Sequence, residues 1–318
     1  MGRHVAGDAP AMDRLVEESI VKIGSEIAAL AVPRLRGVVL GGGYGRGEGG
    51  VFVGQDGSER LYNDLDFYVV AEDGSSEADI DAIGEKLAPI SRKWTERLSV
   101  DVDFCRAKTP WRIHHDQERV MIQELLHGYF DVAGLRGEEL FAGVEKREPS
   151  AFPWTESVRL LMNRGVGLLL AAEPRQSETF VVRNVNKCVL GAGDALLIAE
   201  GRYRWKAAER AEALADPLYS KALEWKFRPS EKGVCDWNDA RVAWLAAVEK
   251  VDAIGRTSGA VRRSIYQAAR WIARRRTVGD LATLGYEPVV RILCRLVELV
   301  RDRRPIPGSL RRDWEIFN

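Results

Sequence analysis

Two short segments of this 318-residue chain each carry two aspartates separated by one apolar residue. Asp64 and Asp66 lie in NDLDF, and Asp101 and Asp103 lie in VDVDF. Side chains two residues apart on a β-strand point to the same face, so each segment places two carboxylates side by side. Carboxylates on a half-buried sheet are costly unless they are paired, and divalent cations offset their repulsion. Oxygen ligands of this kind suit Mg²⁺ or Mn²⁺.

A glycine-rich segment precedes the first aspartate pair. Seven of the ten residues from 41 to 50, GGGYGRGEGG, are glycine, and the apolar run GVVL leads into them. A strand that ends in a glycine turn and enters a short helix exposes backbone N–H groups, which bind phosphate. Phosphate-binding backbone beside a carboxylate-held metal is typical of phosphoryl or nucleotidyl transfer.

The order of these segments resembles the nucleotidyltransferase superfamily of DNA polymerase beta. That family has a strand, a Gly-Gly or Gly-Ser opening a short helix, a strand with Asp-x-Asp, and an acid on a later strand. Gly42 and Gly43 match the glycine positions, Asp64 and Asp66 match the paired acids, and VDVDF supplies the later acid. The segment GYGRGE is similar to prokaryotic members that adenylylate small molecules or proteins.

The resemblance implies a role for each matching residue. Asp64 and Asp66 would bind two metal ions, and the Gly42 and Gly43 N–H groups would bind the phosphates of a nucleoside triphosphate, first of all ATP. The third acid would bind the catalytic metal and help to deprotonate the acceptor hydroxyl. The mid-strand position of this acid in polymerase-type relatives favours Asp101 over Asp103.

The resemblance covers about residues 36–106 and includes two departures. Twenty residues separate Gly43 from Asp64, about twice the usual spacing, and we interpret GGVFVGQDGSERLYN as an extended hairpin. Gly43 also stands where many relatives have Ser, so a phosphate contact there must come from the backbone. Arg46 is a candidate phosphate ligand, but a salt bridge that holds the turn is favoured.

A second glycine motif is present in the same segment. Gly45, Gly47 and Gly50 satisfy G-x-G-x-x-G, which is typical of dinucleotide sites. Such a site needs a helix that continues from the glycines, whereas GGVFVGQDG predicts a strand and a turn. The dinucleotide interpretation is therefore disfavoured.

The apolar spacing predicts two domains. Residues 1–150 are expected to form an α/β (α+β) nucleotidyltransferase domain with a short mixed sheet. Residues 151–318 are expected to form an all-helical domain that closes the nucleotide cleft and selects the acceptor. Helical patterns in this second half cover about 155–173, 180–200, 204–225, 237–253, 260–276 and 288–303.

Three residues of the helical half are candidates for the nucleotide cleft. The resemblance suggests Lys187 as a contact of the triphosphate and Tyr203 and Arg210 as residues that line the cleft. The alternative is that they are ordinary polar residues on solvated helix faces.

The charge of the chain is unevenly distributed, although its net charge is zero. From residue 256 to 312 there are 14 Arg, no Lys and 4 acids, so this region carries +10 and the remainder −10. The segment RRSIYQAARWIARRR, with Arg270, Arg274, Arg275 and Arg276, suggests either RNA binding or pairing with acids of the same protein. Internal pairing is favoured.

The sequence motifs indicate the type of reaction more clearly than the molecule that accepts the nucleotide. A small hydroxylated molecule of the aminoglycoside type is the preferred acceptor. An RNA end or a protein side chain, as in toxin-like enzymes, and a non-catalytic nucleotide-binding module are the alternatives. The oligomeric state stays open.

Several classes of protein are disfavoured by composition. No apolar run reaches the ~18 residues of a membrane span. The N-terminus, MGRHVAGDAPAM, lacks the apolar core of a secretory signal. We expect this segment to be a flexible lead-in. The four cysteines form no C-x-x-C pair, which argues against zinc or a disulfide framework. A cytoplasmic location is expected.

Overall fold

The computed structural model describes residues 3–257 and 288–317, which divide into two compact units. The first unit comprises the described residues of Met1–Arg147 together with Lys226–Ser230. The second comprises those of Glu148–Trp225 and Glu231–Asn318. The membership of 226–230 in the first unit was not predicted, because these residues were assigned to the domain expected over 151–318. The helix predicted over 260–276 lies outside the described residues.

The strands lie in the first unit and form one small mixed sheet and one hairpin. The sheet order is β5-β4-β1-β6, with β1 antiparallel to β4 and β6, and β4 parallel to β5, while β2 pairs with β3. Strand β6, which completes the sheet beside β1, was not predicted. The strands are β1 (Leu35–Leu40), β2 (Val51–Val53), β3 (Glu59–Leu61), β4 (Leu65–Ala71), β5 (Val102–Phe104) and β6 (Phe130–Gly134).

Helices cover both faces of this sheet. Alternation along β4 sends Phe67 and Val69 into one core with α1 and α3, and Val70 into a second core with α4 and α5. The Ser76 side chain caps α3 in a reciprocal capping box with Asp79. The helices of this unit are α1 (Pro10–Ala29), α2 (Gly42–Gly45), α3 (Glu77–Leu98), α4 (Pro110–His115), α5 (Val120–His127) and α6 (Gly137–Leu140).

The first described residues are an integral part of the first unit. His4 and Val5 are fully buried, and Val5 forms a β-bridge with Gly49 at the end of the glycine segment. The Asp13 carboxylate accepts the N–H groups of Arg3, His4 and Val5 at 2.9, 2.7 and 3.1 Å. The expectation of a flexible lead-in was wrong, because apolar burial and these three hydrogen bonds hold the segment in place.

Every regular element described in the second unit is a helix. Leu161, Cys188, Trp244 and Leu296 lie at the centre of its core. The single helix expected over 204–225 is two helices, because the chain turns through a left-handed residue, Ala215, just before a proline. The elements are α7 (Trp154–Ala171), α8 (Glu178–Ala199), α9 (Ala207–Leu214), α10 (Pro217–Phe227, which ends in the first unit), α11 (Trp237–Thr257), α12 (Pro288–Arg301) and α13 (Gly308–Phe317), with a 3-10 turn at Pro149–Ala151.

The protein is thus of the mixed α and β class, with helices predominating over a small mixed sheet. Among the described helices, none has both the length and the apolar character needed to cross a bilayer.

Candidate functional site

The glycine turn packs directly against the strand that carries the first acid pair. It begins where β1 ends, and the Gly41 N–H donates to the Asp66 carbonyl at 2.9 Å. Gly42 has a φ of +61°, and a Cβ at this position would lie 2.2 Å from Asp66 Oδ2. Glycine is therefore required at position 42 for both its backbone conformation and the nearby carboxylate.

The next glycine is in a different situation. A Cβ at Gly43 would meet no atom closer than 3.5 Å, so the fold tolerates a small side chain there. Within the part of the chain that the structure describes, neither the Gly42 nor the Gly43 N–H group has a hydrogen-bond acceptor. Both residues are half-buried. The turn therefore offers two adjacent backbone donors for an anion.

The register of β4 and β5 brings the two acid pairs together. Asp66 stands opposite Asp103 in the parallel ladder, and the Leu65 N–H donates to the Asp101 carbonyl at 2.8 Å. Because Asp64 and Asp101 each precede these partners by two residues, the backbone places all four carboxylates along one side of the sheet. The residue beside Asp66 is Asp103, so the register favours Asp103 as the third acid over Asp101.

We call the group formed by Asp64, Asp66, Asp101 and Asp103 the acid face. Its negative charges affect the pKa values of its members and neighbours. Burial raises the pKa of Asp103, and the negative charges of Asp64 and Asp101 raise it further. Burial also raises the pKa of the Cys105 thiol to about 12, with added contributions from Asp66 and Asp103. These shifts show that the face disfavours additional negative charge, which is the electrostatic condition that a bound cation would relieve.

The acid face fits a hard metal ion in donor type and in backbone placement. Its four side chains supply carboxylate oxygens, the ligands that Mg²⁺ and Mn²⁺ prefer. As the side chains stand, no three His, Cys, Asp or Glu groups in the described ranges converge closely enough to hold a metal ion. Coordination by Asp66 and Asp103 together with Asp64 therefore requires carboxylates to rotate about their side-chain bonds.

An ion-pair network stabilises the glycine turn through Arg46 and Glu48, which lie within the glycine-rich segment. Arg46 contacts Glu48 (Nε to Oε2, 3.6 Å) and Glu124 (Nη1 to Oε2, 3.3 Å). Lys226 Nζ lies 3.5 Å from Glu48 Oε2, and Glu48 is buried. The salt bridge favoured for Arg46 is present. Lys226 was missed, since nothing in its local sequence indicates that it joins the first unit.

A buried tyrosine ties the glycine turn to the segment that enters β4. The Tyr44 hydroxyl donates to the Gly50 carbonyl at 3.0 Å and accepts the Tyr62 N–H at 3.2 Å. Asn63 Oδ1 accepts the Gly50 N–H at 2.6 Å. Burial raises the pKa of Tyr44 to about 12, so its hydroxyl keeps its proton at neutral pH. These bonds close the base of the hairpin just before Asp64.

The predicted hairpin is present, and it bears on the dinucleotide motif. After Gly45, Gly47 and Gly50 the chain enters β2 and not a helix, so the structural context that a dinucleotide site needs is missing here.

Two candidates in the second unit have a structural role. Tyr203 and Arg210 are 2% and 3% exposed. Arg210 Nη1 donates to the Tyr203 hydroxyl at 2.8 Å, and its Nε lies 3.0 Å from Asp194 Oδ1. Tyr219 donates its hydroxyl to the same Asp194 oxygen at 2.7 Å. We call the group of Tyr203, Arg210, Asp194 and Tyr219 the Arg210 network. The expectation that Tyr203 and Arg210 line a cleft was wrong, because both are buried within it.

Lys187 lies half-buried on α8, one helical turn before Gly191, whose Cα faces the Arg164 side chain. Its contact with a triphosphate stays a prediction.

The basic region is described only in part. Arg295 pairs with Asp313 at 3.4 Å, and Arg311 pairs with Glu315 at 3.9 Å, both within the second unit. This agrees with the favoured internal pairing, although the acids are local ones. Arg270, Arg274, Arg275 and Arg276, on which the RNA hypothesis depended, lie outside the described residues.

No protein-family model matches this chain, and no curated protein matches it in sequence. The resemblance to the polymerase beta-type nucleotidyltransferases therefore stays a prediction that depends on the glycine turn and the acid face.

Proposed function

We propose that this protein is a metal-dependent nucleotidyltransferase that moves a nucleoside monophosphate from a triphosphate, first of all ATP, to a hydroxyl group of a small molecule. One observation supports the proposal. Asp103 stands beside Asp66 in the sheet, and the Asp66 carboxylate lies next to the glycine turn that carries the N–H groups of Gly42 and Gly43. In this proposal the first unit is the nucleotidyltransferase domain, and the second unit selects the acceptor.

The proposed division of labour follows from charge and donor type. When bound, Mg²⁺ or Mn²⁺ supplies Lewis acidity, which lowers the pKa of the acceptor hydroxyl and stabilises charge on the phosphoryl oxygens. Asp64, Asp66 and Asp103 would hold the cations. The N–H groups of Gly42 and Gly43 would orient the phosphates for in-line attack.

Proton transfer needs a group near the attacking hydroxyl. We assign this role to the carboxylate of Asp103, because it stands beside Asp66 in the sheet and would lie next to the metal-bound hydroxyl. Asp101, which is two residues earlier on the same side, is the alternative acceptor of this proton.

The proposal is tested with triphosphates labelled on the α-phosphate, in Mg²⁺ or Mn²⁺, against aminoglycoside-type compounds, tRNA and the protein itself. We expect label on the small molecule, and loss of labelling in Asp103→Asn. Asp81→Asn is the matched control, because Asp81 is exposed on α3 and pairs with Arg106 at 2.5 Å; it should retain activity.

The other outcomes are equally decisive. Label on tRNA or on the protein would move the acceptor class while keeping the chemistry. Triphosphate binding without any transfer would identify a non-catalytic nucleotide-binding module. Absence of triphosphate binding would overturn the proposal.

A further inference from the structure

An open groove lies in the second unit, between the beginning of α11 and the end of α12. It has a volume of about 470 Å³ and is lined by Trp237, Arg241, Arg301 and Arg303, with Asp236 and Asp302 at its sides. None of these residues belongs to the acid face or to the Arg210 network. We call this feature the Arg–Trp groove.

The arginines of the groove are not neutralised by acids. Arg241 donates to two neutral acceptors, Asn238 Oδ1 at 2.8 Å and the Arg301 carbonyl at 3.1 Å. Arg301 and Arg303 are exposed, and among the described residues no carboxylate lies within ion-pair distance of either one. Three guanidinium groups therefore face one groove without a carboxylate partner.

The two carboxylates of the groove are already engaged. Asp302 pairs with Arg304 at 3.1 Å. Asp236 Oδ1 accepts the Asp239 N–H at 2.8 Å at the beginning of α11. Since Arg304 neutralises Asp302, three arginines stand against the single carboxylate of Asp236, and the groove has an excess of positive charge.

Trp237 lies against one of these arginines. Its indole N–H donates to the Leu168 carbonyl at 2.8 Å, which holds the ring. The guanidinium carbon of Arg303 lies 4.8 Å from the centre of that ring, a cation–π distance. A guanidinium held in this way presents a planar surface on which a base stacks, and its N–H groups stay available to phosphate.

We propose that the Arg–Trp groove binds single-stranded nucleic acid. Arg301 and Arg303 bind successive phosphates, and a base stacks on the Arg303–Trp237 pair. The volume lies in the range of about 300–1,000 Å³ that suits small ligands, so the groove accommodates one or two nucleotides and not a duplex. The surrounding sequence, residues 256–312, carries +10 and adds long-range attraction. This inference does not depend on the proposed nucleotidyl transfer.

The experiment measures binding of a labelled, unstructured RNA of about 12 nucleotides to the full-length protein as a function of salt. Each phosphate contact contributes about 0.7 to the slope of log affinity against log salt for single strands. The double substitution Arg301→Gln, Arg303→Gln should reduce this slope by about 1.4 and weaken binding at least about tenfold near physiological salt. Its melting temperature should stay within a few degrees of that of the unmodified protein, because among the described residues neither side chain forms an ion pair and the only interaction removed is the Arg303–Trp237 contact.

The matched control is Arg295→Gln, Arg311→Gln, which removes the same charge from the same unit at arginines that already pair with acids. This variant should keep most of the slope. An equal loss in both double variants would show diffuse attraction and overturn the proposal, as would absence of RNA binding to the unmodified protein. Displacement of the RNA by ATP or inorganic phosphate at equal phosphate concentration would overturn it in favour of a free-anion site.

Discussion

The acid face and the Arg210 network are both clusters of charged groups, but their charges are arranged in opposite ways. In the second unit Arg210 lies 3.0 Å from Asp194, and two tyrosine hydroxyls complete the network inside the fold. In the first unit Asp66 and Asp103 are neighbours of like charge, and the negative charges of Asp64 and Asp101 raise the pKa of Asp103 beyond the effect of burial.

This difference separates structure from function. A closed network of opposite charges is satisfied without a ligand, so its removal should cost stability. A half-buried group of like charges lowers the stability of the ligand-free protein, and such groups are concentrated at functional sites. Substitutions in the two clusters should therefore have opposite consequences for stability and activity.

The largest effect on stability is expected for Arg210→Met. Breaking a buried ion pair leaves the Asp194 carboxylate without its partner, which costs about 3–5 kcal/mol of unfolding free energy. Denaturant titration measures this loss, and Arg202→Met is the control because its pair with Glu200 is exposed and worth at most about 1 kcal/mol. If Arg210→Met lowers the unfolding free energy no more than the control does, Arg210 does not have the structural role argued here.

Asp66→Asn should give the reverse result. We expect nucleotidyl transfer to fall by at least about 100-fold, because a carboxylate ligand of a catalytic metal contributes several kcal/mol to the transition state. The melting temperature without metal should stay level or rise, since one of the repelling charges is removed. Transfer assays and melting with and without EDTA test both parts. Unfolding comparable to that of Arg210→Met would contradict the comparison.

The glycine turn provides a smaller effect that is specific to binding. Gly43→Val should weaken triphosphate binding about tenfold, because its branched side chain obstructs the approach of phosphate to the backbone N–H groups. Gly43→Ser should bind nearly normally, since a Cβ there has no neighbour within 3.5 Å. Calorimetric titration with the triphosphate compares the two. Equal triphosphate affinities of the Gly43→Val and Gly43→Ser variants would show that the glycines form only a structural turn and do not bind phosphate.

Local patterns predicted the elements of the candidate site because those elements are encoded locally. The alternation in DLDFYVV and in VDVDF specified two strands, and the glycines specified the turn before them. The preference for Asp101 over Asp103 came from the mid-strand position of this acid in relatives, whereas the register of β4 against β5 places Asp103 beside Asp66. No local pattern specifies that register, because a 22-residue helix separates the two strands in the chain.

Long-range partners were beyond the reach of sequence patterns. Lys226 joins the Glu48 network from 178 positions away, and no periodicity indicates such a contact. Tyr203 and Arg210 look like surface residues in sequence, and only their long-range partners explain their burial: Arg210 pairs with Asp194 on another helix and donates to the Tyr203 hydroxyl. His4 and Val5 were misjudged because a short polar segment resembles a flexible terminus unless the N–H acceptor, Asp13, is known.

Asp13 offers a third arrangement of charge, a single carboxylate held by backbone donors, and its effect should be the smallest and depend on pH. Burial alone would raise its pKa, but the N–H groups of His4, Arg3 and Val5, together with the charge of His4, bring the pKa below its ordinary value of 3.8. Because the pKa is lowered on folding, the carboxylate stabilises the fold above pH 3.8, and this contribution is lost as the pH falls through the lowered pKa.

Asp13→Asn keeps one oxygen for the His4 and Val5 N–H groups but turns an amide NH2 towards the Arg3 N–H. It therefore removes the charge and one hydrogen bond, and it should cost about 0.5–1.5 kcal/mol at neutral pH. Urea titrations of both proteins at a series of pH values should show this difference shrinking below pH 3.8. A difference that is constant with pH would mean that shape, and not charge, holds the N-terminal segment.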